Sequence, residues 1–293
     1  MEFSRTSASA PEPPPVDFGS VLITGSSGRI GSMLVPRLIA HGWQLRLCDL
    51  RSNDRPVEGE PPTFIGDITD PATLDEVLHP DETGAVTAIV HLAGRPTEDV
   101  WSRIQSANID STFQVFEAAR RAGVPRVLFA SSIHAVGFAT YETDRPAASE
   151  ARPDTLYGVS KIFGEALGRY YVDRYSMQVA CLRIGTCEER PPDRRALATW
   201  LSPDDCARLV DATLRAPALT YATVWGISAN SSGFFSQAEG QALGYVAQDN
   251  ADDYANQLTD PVSPYELAPS DHLLGGGFTT EGFGIDAVRS RSQ

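Results

Sequence analysis

A tyrosine and a lysine four residues apart, Tyr157 and Lys161, form the pattern in this sequence that most directly suggests chemistry. Of the 24 Lys and Arg residues, 23 are arginine, so Lys161 is the only lysine in the chain. A site that needs a compact ammonium requires lysine, whereas an exposed cation could be either residue. On one face of a helix the ammonium would favour the phenolate, which predicts a general base near neutral pH. The alternative is a solvated helical pair without a chemical role.

Residues 20–24 (SVLIT) read as a short buried strand that runs into a glycine-rich turn and then an apolar-periodic helix. In this context Gly25 takes the tight turn, Gly28 lets the backbone approach a pyrophosphate, and Gly31 lets the helix pack close to the strand. The helix N-terminus offers free N–H groups to an anion. The arrangement predicts a dinucleotide site.

Asp49 ends the next predicted strand, residues 44–49, about 20 residues after the glycine turn. A carboxylate there can bind the adenosine ribose and would repel a 2′-phosphate, which favours NAD over NADP. Arg51 is a possible receiver for such a phosphate, and a solvated acid at a strand end is the plainer interpretation of Asp49.

Another strand, residues 126–130, ends in Ser131 and Ser132, followed closely by His134. Hydroxyls at a strand end lie at the carboxyl edge of a parallel sheet, where ligands bind. A packed, hydrogen-bonded histidine is the alternative for His134.

Strand and helix signals alternate along the chain, which predicts an α/β fold with a doubly wound, mostly parallel Rossmann sheet. We expect a leader over 1–19 that is disordered, an NAD-binding domain over 20–184, and a small irregular substrate-binding cap with the C-terminal tail over 185–293. The predicted strands are 20–24, 44–49, 63–65, 86–92, 126–130 and 178–184, with a possible further strand at 224–228, and the predicted helices include 71–78, 98–123, 154–175 and 203–215.

The net charge of −14 and pI near 4.7 argue against nucleic acid and anionic membranes as partners. No apolar run approaches the ~18 residues of a membrane span, and the start of the chain lacks a secretory signal. The four cysteines show no metal-ligand spacing and suit reduced thiols, so we expect a cytoplasmic protein without a metal site.

Five elements in order and spacing resemble an extended short-chain dehydrogenase/reductase. They are TGxxGxxG at 24–31, HLAG at 91–94, Asn108, the serine pair at 131–132 and YxxxK at 157–161. Further runs are similar to uronate dehydrogenase, and the likeness spans roughly residues 20–285. These runs are FGE at 163–165, LRIGTC at 182–187, TWLS at 199–202 and VWGISAN at 224–230.

The resemblance implies oxidation of a hexuronic acid, a small sugar acid, at its anomeric carbon with NAD, giving an aldarolactone. It implies that Tyr157 is the base, that Lys161 holds the nicotinamide ribose and lowers the pKa of the tyrosine, and that Ser132 binds the reacting oxygen. The cofactor contacts it implies are Gly25, Ser27, Gly28, Arg29, Ile30, Gly31, Asp49, Asp67, Ile68, Leu92, Ala93, Gly94, Asn108, Tyr157 and Lys161. The sugar contacts it implies are Ser132, His134, Thr186, Arg195 and Phe278.

Arg195 would clamp the substrate carboxylate with its planar fork. The residues alone leave open whether Arg195 or its neighbour Arg194 is the surface charge.

Two positions depart from the family pattern. Ile133 stands where an asparagine is usual, and Arg95, Pro96 and Thr97 stand where the family places a serine. Both changes remove hydrogen-bonding capacity toward the sugar, at about 1–3 kcal/mol for an unpaired buried hydroxyl. We expect a differently configured or less hydroxylated sugar acid, with Thr97 replacing the serine and Arg95 adding an anion contact.

Two other functions fit the same fold: an NAD-dependent epimerase or dehydratase of nucleotide sugars, and a non-catalytic NAD-sensing protein. The first usually needs a larger C-terminal domain than the residues available here, and the second commonly lacks the Tyr or the Lys. The long helices near 98–123 and 154–175 are expected to pair between subunits of a homo-oligomer.

Overall fold

The computed structural model describes residues 19–142, 144–258 and 273–284, and in these ranges strands and helices alternate. The expected leader over 1–19 therefore lies, except for Gly19, outside the described residues. The strands are β1 (Ser20–Thr24), β2 (Gln44–Asp49), β3 (Thr63–Ile65), β4 (Val86–His91), β5 (Arg126–Ser132), β6 (Gln178–Ile184), β7 (Thr186–Cys187), β8 (Trp200–Leu201) and β9 (Tyr221–Gly226).

The α-helices are α1 (Arg29–Ala40), α2 (Pro71–Leu78), α3 (Trp101–Ile104), α4 (Ser111–Ala122), α5 (Leu156–Tyr175), α6 (Ala196–Thr199), α7 (Pro203–Arg215) and α8 (Ala238–Ala242). The predicted helix over 98–123 is divided, because a π-helical turn at Gln105–Asp110 joins α3 to α4. The starts of α5 and α7 are fixed by side-chain caps: the hydroxyl of Thr155 accepts from Gly158 N–H, and that of Ser202 accepts from Asp205 N–H.

Seven strands form one parallel sheet in the order β3-β2-β1-β4-β5-β6-β9. The strand order reverses between β1 and β4, which is the point where a crevice opens at the carboxyl edge of such a sheet. The predicted doubly wound parallel sheet is confirmed. β7 and β8 form a separate two-stranded pair close to that edge.

Alternate side chains of the strands enter two apolar layers. Val21 and Ile23 point to the layer that α1 and α7 cover, while Leu22 between them points to the layer covered by α2, α4 and α5. Both faces of the sheet are therefore buried, as near-continuous apolar strands require. The rigid sheet holds the ends of β1, β4, β5 and β6 close together.

The sheet extends past residue 184, the predicted end of the NAD-binding domain, and its last strand overlaps the possible strand at 224–228. β9 pairs with β6 through residues such as Leu182 and Val224, and α7 packs beside α1. The reason is the buried apolar surface of both elements, which completes the sheet and one of its layers. The residues expected to form only a cap thus supply part of the core, and the cap itself is limited to segments near the carboxyl edge.

Several apolar side chains remain exposed on the helices that we expect to pair between subunits, namely Phe113, Val159, Tyr170 and Tyr175. Subunit association stays a prediction. Within the described ranges, no helix has the length and apolar character needed to cross a membrane.

Candidate active site

The turn between β1 and α1 brings backbone N–H groups to the carboxyl edge of the sheet. Gly25 has a φ of +75°, and a Cβ there would meet the backbone N of Ala93 at 2.6 Å. A side chain at Gly31 would overlap the carbonyl groups of Gly25 and Ser26. Gly28 offers no side-chain cap to α1, so the first N–H groups of the helix are available to an anion. This geometry fits a dinucleotide pyrophosphate.

A cavity of about 690 Å³, here called the Asp49 cavity, opens beside the glycine turn along the ends of β2 and β3. Oδ2 of Asp49 accepts the N–H of Ser27 at 2.9 Å, which fixes the carboxylate at the cavity wall. Arg51 lines the same cavity. The other predicted cofactor residues that line it are Gly25, Gly28, Asp67, Ile68, Leu92, Ala93 and Gly94.

A second cavity of about 430 Å³, the Tyr157 cavity, shares Gly25, Gly28, Leu92 and Gly94 with the first, so the two meet at the glycine turn. It brings together most of the residues expected to act on substrate. The predicted site residues that line only this cavity are Arg29, Ile30, Gly31, Ser132, His134, Tyr157, Lys161, Thr186, Arg195 and Phe278.

Tyr157, Lys161 and Ser132 converge in this cavity because α5 packs its buried face against the end of β5. The Lys161 ammonium lies 5.4 Å from the centre of the Tyr157 ring and 5.1 Å from that of Phe129. Ser132 lines the same cavity, and its hydroxyl interacts with the Tyr157 phenol and lowers the phenol's pKa. The backbone N–H of Tyr157 donates to Oε2 of Glu98 at 2.8 Å, which anchors the first turn of the helix.

The expected effect of Lys161 on the tyrosine is not found in this environment. Burial raises the pKa of Tyr157 to about 12, and the interaction with Ser132 only partly opposes this rise. Burial also lowers the pKa of Lys161 to about 8. The physical reason is that removing both side chains from water disfavours their charged forms. A phenolate at Tyr157 therefore needs a further positive charge in the cavity.

His134 is held from behind by a carboxylate. Its Nδ1 lies 2.8 Å from Oδ2 of Asp154, whose side chain is fully buried. The imidazole packs against the Phe278 ring at 4.1 Å between centres, and it meets the Tyr157 ring edge-on at 5.8 Å. Phe278 belongs to the 273–284 segment, which hydrogen bonds to residues 137–139 and so closes this side of the cavity.

Arg195 and Arg194 have different surroundings. Arg194 is exposed, whereas Arg195 lines the Tyr157 cavity and donates from Nη2 to the carbonyl of Leu274 at 2.5 Å. Among the described residues, none accepts a hydrogen bond from the buried Nε of Arg195. Burial lowers the pKa of this guanidinium, yet it stays charged because arginine titrates far above neutral pH. A half-buried cation thus lines the same cavity as the reacting groups.

Three predicted site residues do not line either cavity. Thr97 is exposed, so it does not replace the serine of the family pattern. Asn108 is buried behind Gly94, where its side chain bonds to Ser160 and to the backbone of Arg95. The side chain of Ser27 is used by the Arg51 carbonyl.

Among the residues that depart from the family pattern, Ile133, Pro96 and Arg95 line the Tyr157 cavity. Ile133 is only 2% exposed and packs with Trp225, Ile227 and Leu274. The guanidinium of Arg95 pairs with Asp99, which reduces its value as an anion contact.

Sequence reasoning missed the residues that support the site. Glu165 binds Arg183 through two hydrogen bonds of 2.8 Å and accepts from the Ser131 hydroxyl at 2.6 Å. Its position four residues after Lys161 places it on the same helix face, which was the available signal. No comparable signal joins Asp154 to His134, which is 20 residues away.

Comparisons with known proteins agree with this geometry. Residues 21–201 match the NAD dependent epimerase/dehydratase family. Uronate dehydrogenase from Pseudomonas putida is 34% identical over 266 residues, which cover 90% of this chain and 97% of that protein. Uronate dehydrogenase from Agrobacterium fabrum is 37% identical over 262 residues, covering 88% and 96% respectively.

A solved structure supports the cofactor. A mutant of uronate dehydrogenase from Agrobacterium tumefaciens, complexed with NAD, superimposes with a TM-score of 0.80 at 34% identity over 89% of this chain and 97% of that one. The sheet, the glycine turn and the paired cavities described above are those of a dinucleotide-dependent enzyme. The chain therefore belongs to the NAD dependent epimerase/dehydratase family, and within it to the NAD-dependent dehydrogenases.

Proposed function

We propose that the protein oxidises a hexuronic acid of the glucuronate or galacturonate type at its anomeric carbon, giving an aldarolactone. The observation that carries this proposal is the half-buried guanidinium of Arg195 in the same cavity as Tyr157, Ser132 and Lys161. A neutral sugar would leave that cation without an anionic partner, whereas a uronic acid supplies a carboxylate for it.

Oxidation at the anomeric carbon moves one proton and one hydride from the sugar. The anomeric O–H bond breaks and its proton goes to the Tyr157 phenolate, while the anomeric C–H bond breaks as a hydride and the C=O bond forms. Bound NAD supplies the two-electron acceptor and, in its oxidised form, a positive charge that favours the phenolate of a neighbouring tyrosine. Ser132 donates a hydrogen bond to the reacting oxygen.

The glycine turn supports the fit of that cofactor. The N–H groups at the start of α1 and the Asp49 cavity would hold the pyrophosphate and the adenosine, and Lys161 would hydrogen bond to the nicotinamide ribose.

Arg195 acts on the other end of the substrate. Its Nη2 donates to the carbonyl of Leu274, and the guanidinium carries further N–H groups that would bind a carboxylate oxygen in the cavity. Charge-assisted bonds of this kind distinguish a uronic acid from the corresponding aldose.

The test compares Arg195→Met with the matched control Arg194→Met on glucuronate, galacturonate, glucose and galactose, with NADH absorbance as the readout. We expect Arg195→Met to lose roughly 10- to 150-fold in kcat/KM on the uronic acids, the range for a bond to a charged group. Any rate on the aldoses should be the same in Arg195→Met as in wild type, and Arg194→Met should resemble wild type on all four sugars. Wild-type rates on aldoses equal to those on uronic acids would refute the role of Arg195.

Purification with tightly held NAD and no net NADH from any of these sugars would instead support a nucleotide-sugar epimerase or dehydratase.

A further inference from the structure

Asp154 is a buried carboxylate that the proposed reaction does not use. Its side chain is fully buried, with Oδ2 on His134 Nδ1 at 2.8 Å and Oδ1 accepting from the Thr155 hydroxyl at 3.0 Å. A carboxylate only accepts hydrogen bonds, so the ring hydrogen of His134 is on Nδ1. In the neutral imidazole Nε2 is then an acceptor, because only one nitrogen carries hydrogen.

Two glycines from distant segments leave the space that the Asp154 carboxylate occupies. A Cβ at Gly137 or at Gly275 would overlap Oδ2 of Asp154, and the N–H of Gly275 donates to the carbonyl of Gly137 at 2.9 Å. Both glycines have ordinary right-handed φ and ψ values, so the requirement is for space and not for backbone freedom. This close packing keeps the Asp154 carboxylate in contact with His134.

The imidazole itself is held on its remaining sides. Phe278 packs on its face and the Tyr157 ring meets it edge-on, so rotation about the side chain is restricted. His134 is 9% exposed and lines the Tyr157 cavity. Among the described residues none hydrogen bonds to Nε2, so this nitrogen is the one available to a ligand.

The geometry points to Asp154 as a positioning residue that keeps His134 in its Nδ1–H form, with Nε2 as acceptor for a ring hydroxyl of the substrate. The pair then selects a sugar acid that presents a hydroxyl to His134 while its anomeric carbon lies at Tyr157. The identity of the substrate in this inference rests on the proposed function. The tautomer of His134 rests on the structure alone. His134 would thus still select a sugar by one of its hydroxyl groups, although the apolar residues Ile133 and Pro96 form the neighbouring wall of the cavity.

The tautomer can be read without any turnover. Long-range ¹H–¹⁵N spectra, taken at a pH where imidazole is neutral, distinguish a protonated Nδ1 from a protonated Nε2. His134→Gln identifies the His134 signals among the five histidines of the chain. We expect Nδ1–H in wild type and a mixture of tautomers in Asp154→Asn. A wild-type spectrum with hydrogen on Nε2 would overturn the inference.

A double-mutant cycle tests the coupling in kinetics. Asp154→Asn should lower kcat/KM for the preferred uronic acid by roughly 10- to 100-fold, the range for carboxylates that orient metal-bound histidines. In the His134→Gln background the same change should have less than a roughly twofold effect, since glutamine has no tautomer to fix. Asp173→Asn on the exposed face of α5 is the matched control and should behave as wild type.

The outcomes separate this inference from the proposed function. An Asp154→Asn effect that is equally large in both backgrounds would show a purely structural role and overturn the inference, even with full activity on uronic acids. An Nδ1–H tautomer that depends on Asp154 would support the inference even if no uronic acid is oxidised, in which case the proposed function fails alone.

Discussion

Removal of the charge on Arg183, a buried residue of β6, is expected to destabilise the protein far more than removal of an exposed ion pair on α5. Arg183 on β6 and Glu165 on α5 form a bidentate pair with two bonds of 2.8 Å, and their side chains are 4% and 9% exposed. Glu165 also accepts from the Ser131 hydroxyl, next to Ser132. Glu165 thus joins the helix of Tyr157 to β6 through Arg183 and to β5, which ends at Ser132, through Ser131.

The magnitude follows from burial. Arg183→Met leaves the Glu165 carboxylate buried and uncompensated, which costs about 3–5 kcal/mol. With about 2–4 °C of Tm per kcal/mol for domains of this size, the expected fall in Tm is roughly 6–20 °C. The control is Arg169→Ala, whose partner is Asp173; these side chains are 57% and 62% exposed, so the loss should stay within about 1 kcal/mol.

The assay is equilibrium unfolding in urea for wild type, Arg183→Met, Arg169→Ala and the double variant Glu165→Leu/Arg183→Met. The double variant should recover much of the loss, because apolar residues of similar size replace a buried pair at little cost. If Arg183→Met unfolds within about 1 kcal/mol of Arg169→Ala, the reasoning from burial is refuted.

Two further predictions concern charge. Burial lowers the pKa of Lys161 to about 8 from 10.5, so between these values this side chain binds a proton in the unfolded chain but not in the folded chain, and the contribution of Lys161 to stability should rise with pH by about 3 kcal/mol. Buried cysteines such as Cys48 and Cys181, whose pKa is raised, change stability in the opposite direction, so the measurement is the difference between wild type and Lys161→Met in urea titrations between pH 8 and pH 10.5. A difference that does not change with pH would contradict the lowered pKa of Lys161. Asp49→Ser should raise kcat/KM with NADP relative to NAD by about 1–4 kcal/mol, because the repulsion between the carboxylate and the 2′-phosphate is removed. An unchanged ratio of kcat/KM for the two cofactors would show that Asp49 does not exclude NADP.

The strands and the glycine turn could be predicted because their signals are local. The apolar runs of β1, β2, β3 and β6 have the predicted bounds, and α7 spans the predicted residues 203–215, whereas α5 begins at Leu156 and not at 154. Each of these features depends on residues within a few positions of one another. The bounds of the buried strand β9 were predicted only approximately, because a short apolar run does not fix the ends of a strand or the strand that it pairs with.

The parts of the site that escaped prediction depend on contacts between distant segments or on burial. Asp154 meets His134 only because the 273–284 segment and residues 137–139 close around them. The direction of the Tyr157 pKa was wrong because a sequence shows the neighbouring cation but not the loss of water. Thr97 lies outside the cavity because the two residues before it, Arg95 and Pro96, already form that wall.

The most direct test of the central claim is the initial rate of NADH formation from glucuronate and galacturonate carrying deuterium at the anomeric carbon, for wild type and Tyr157→Phe. We expect wild type to form one NADH for each sugar oxidised, at a lower rate with the deuterated sugar when hydride transfer is rate-limiting. We expect Tyr157→Phe to form NADH at no measurable rate. Full activity of Tyr157→Phe, or no NADH from either uronic acid, would contradict the account.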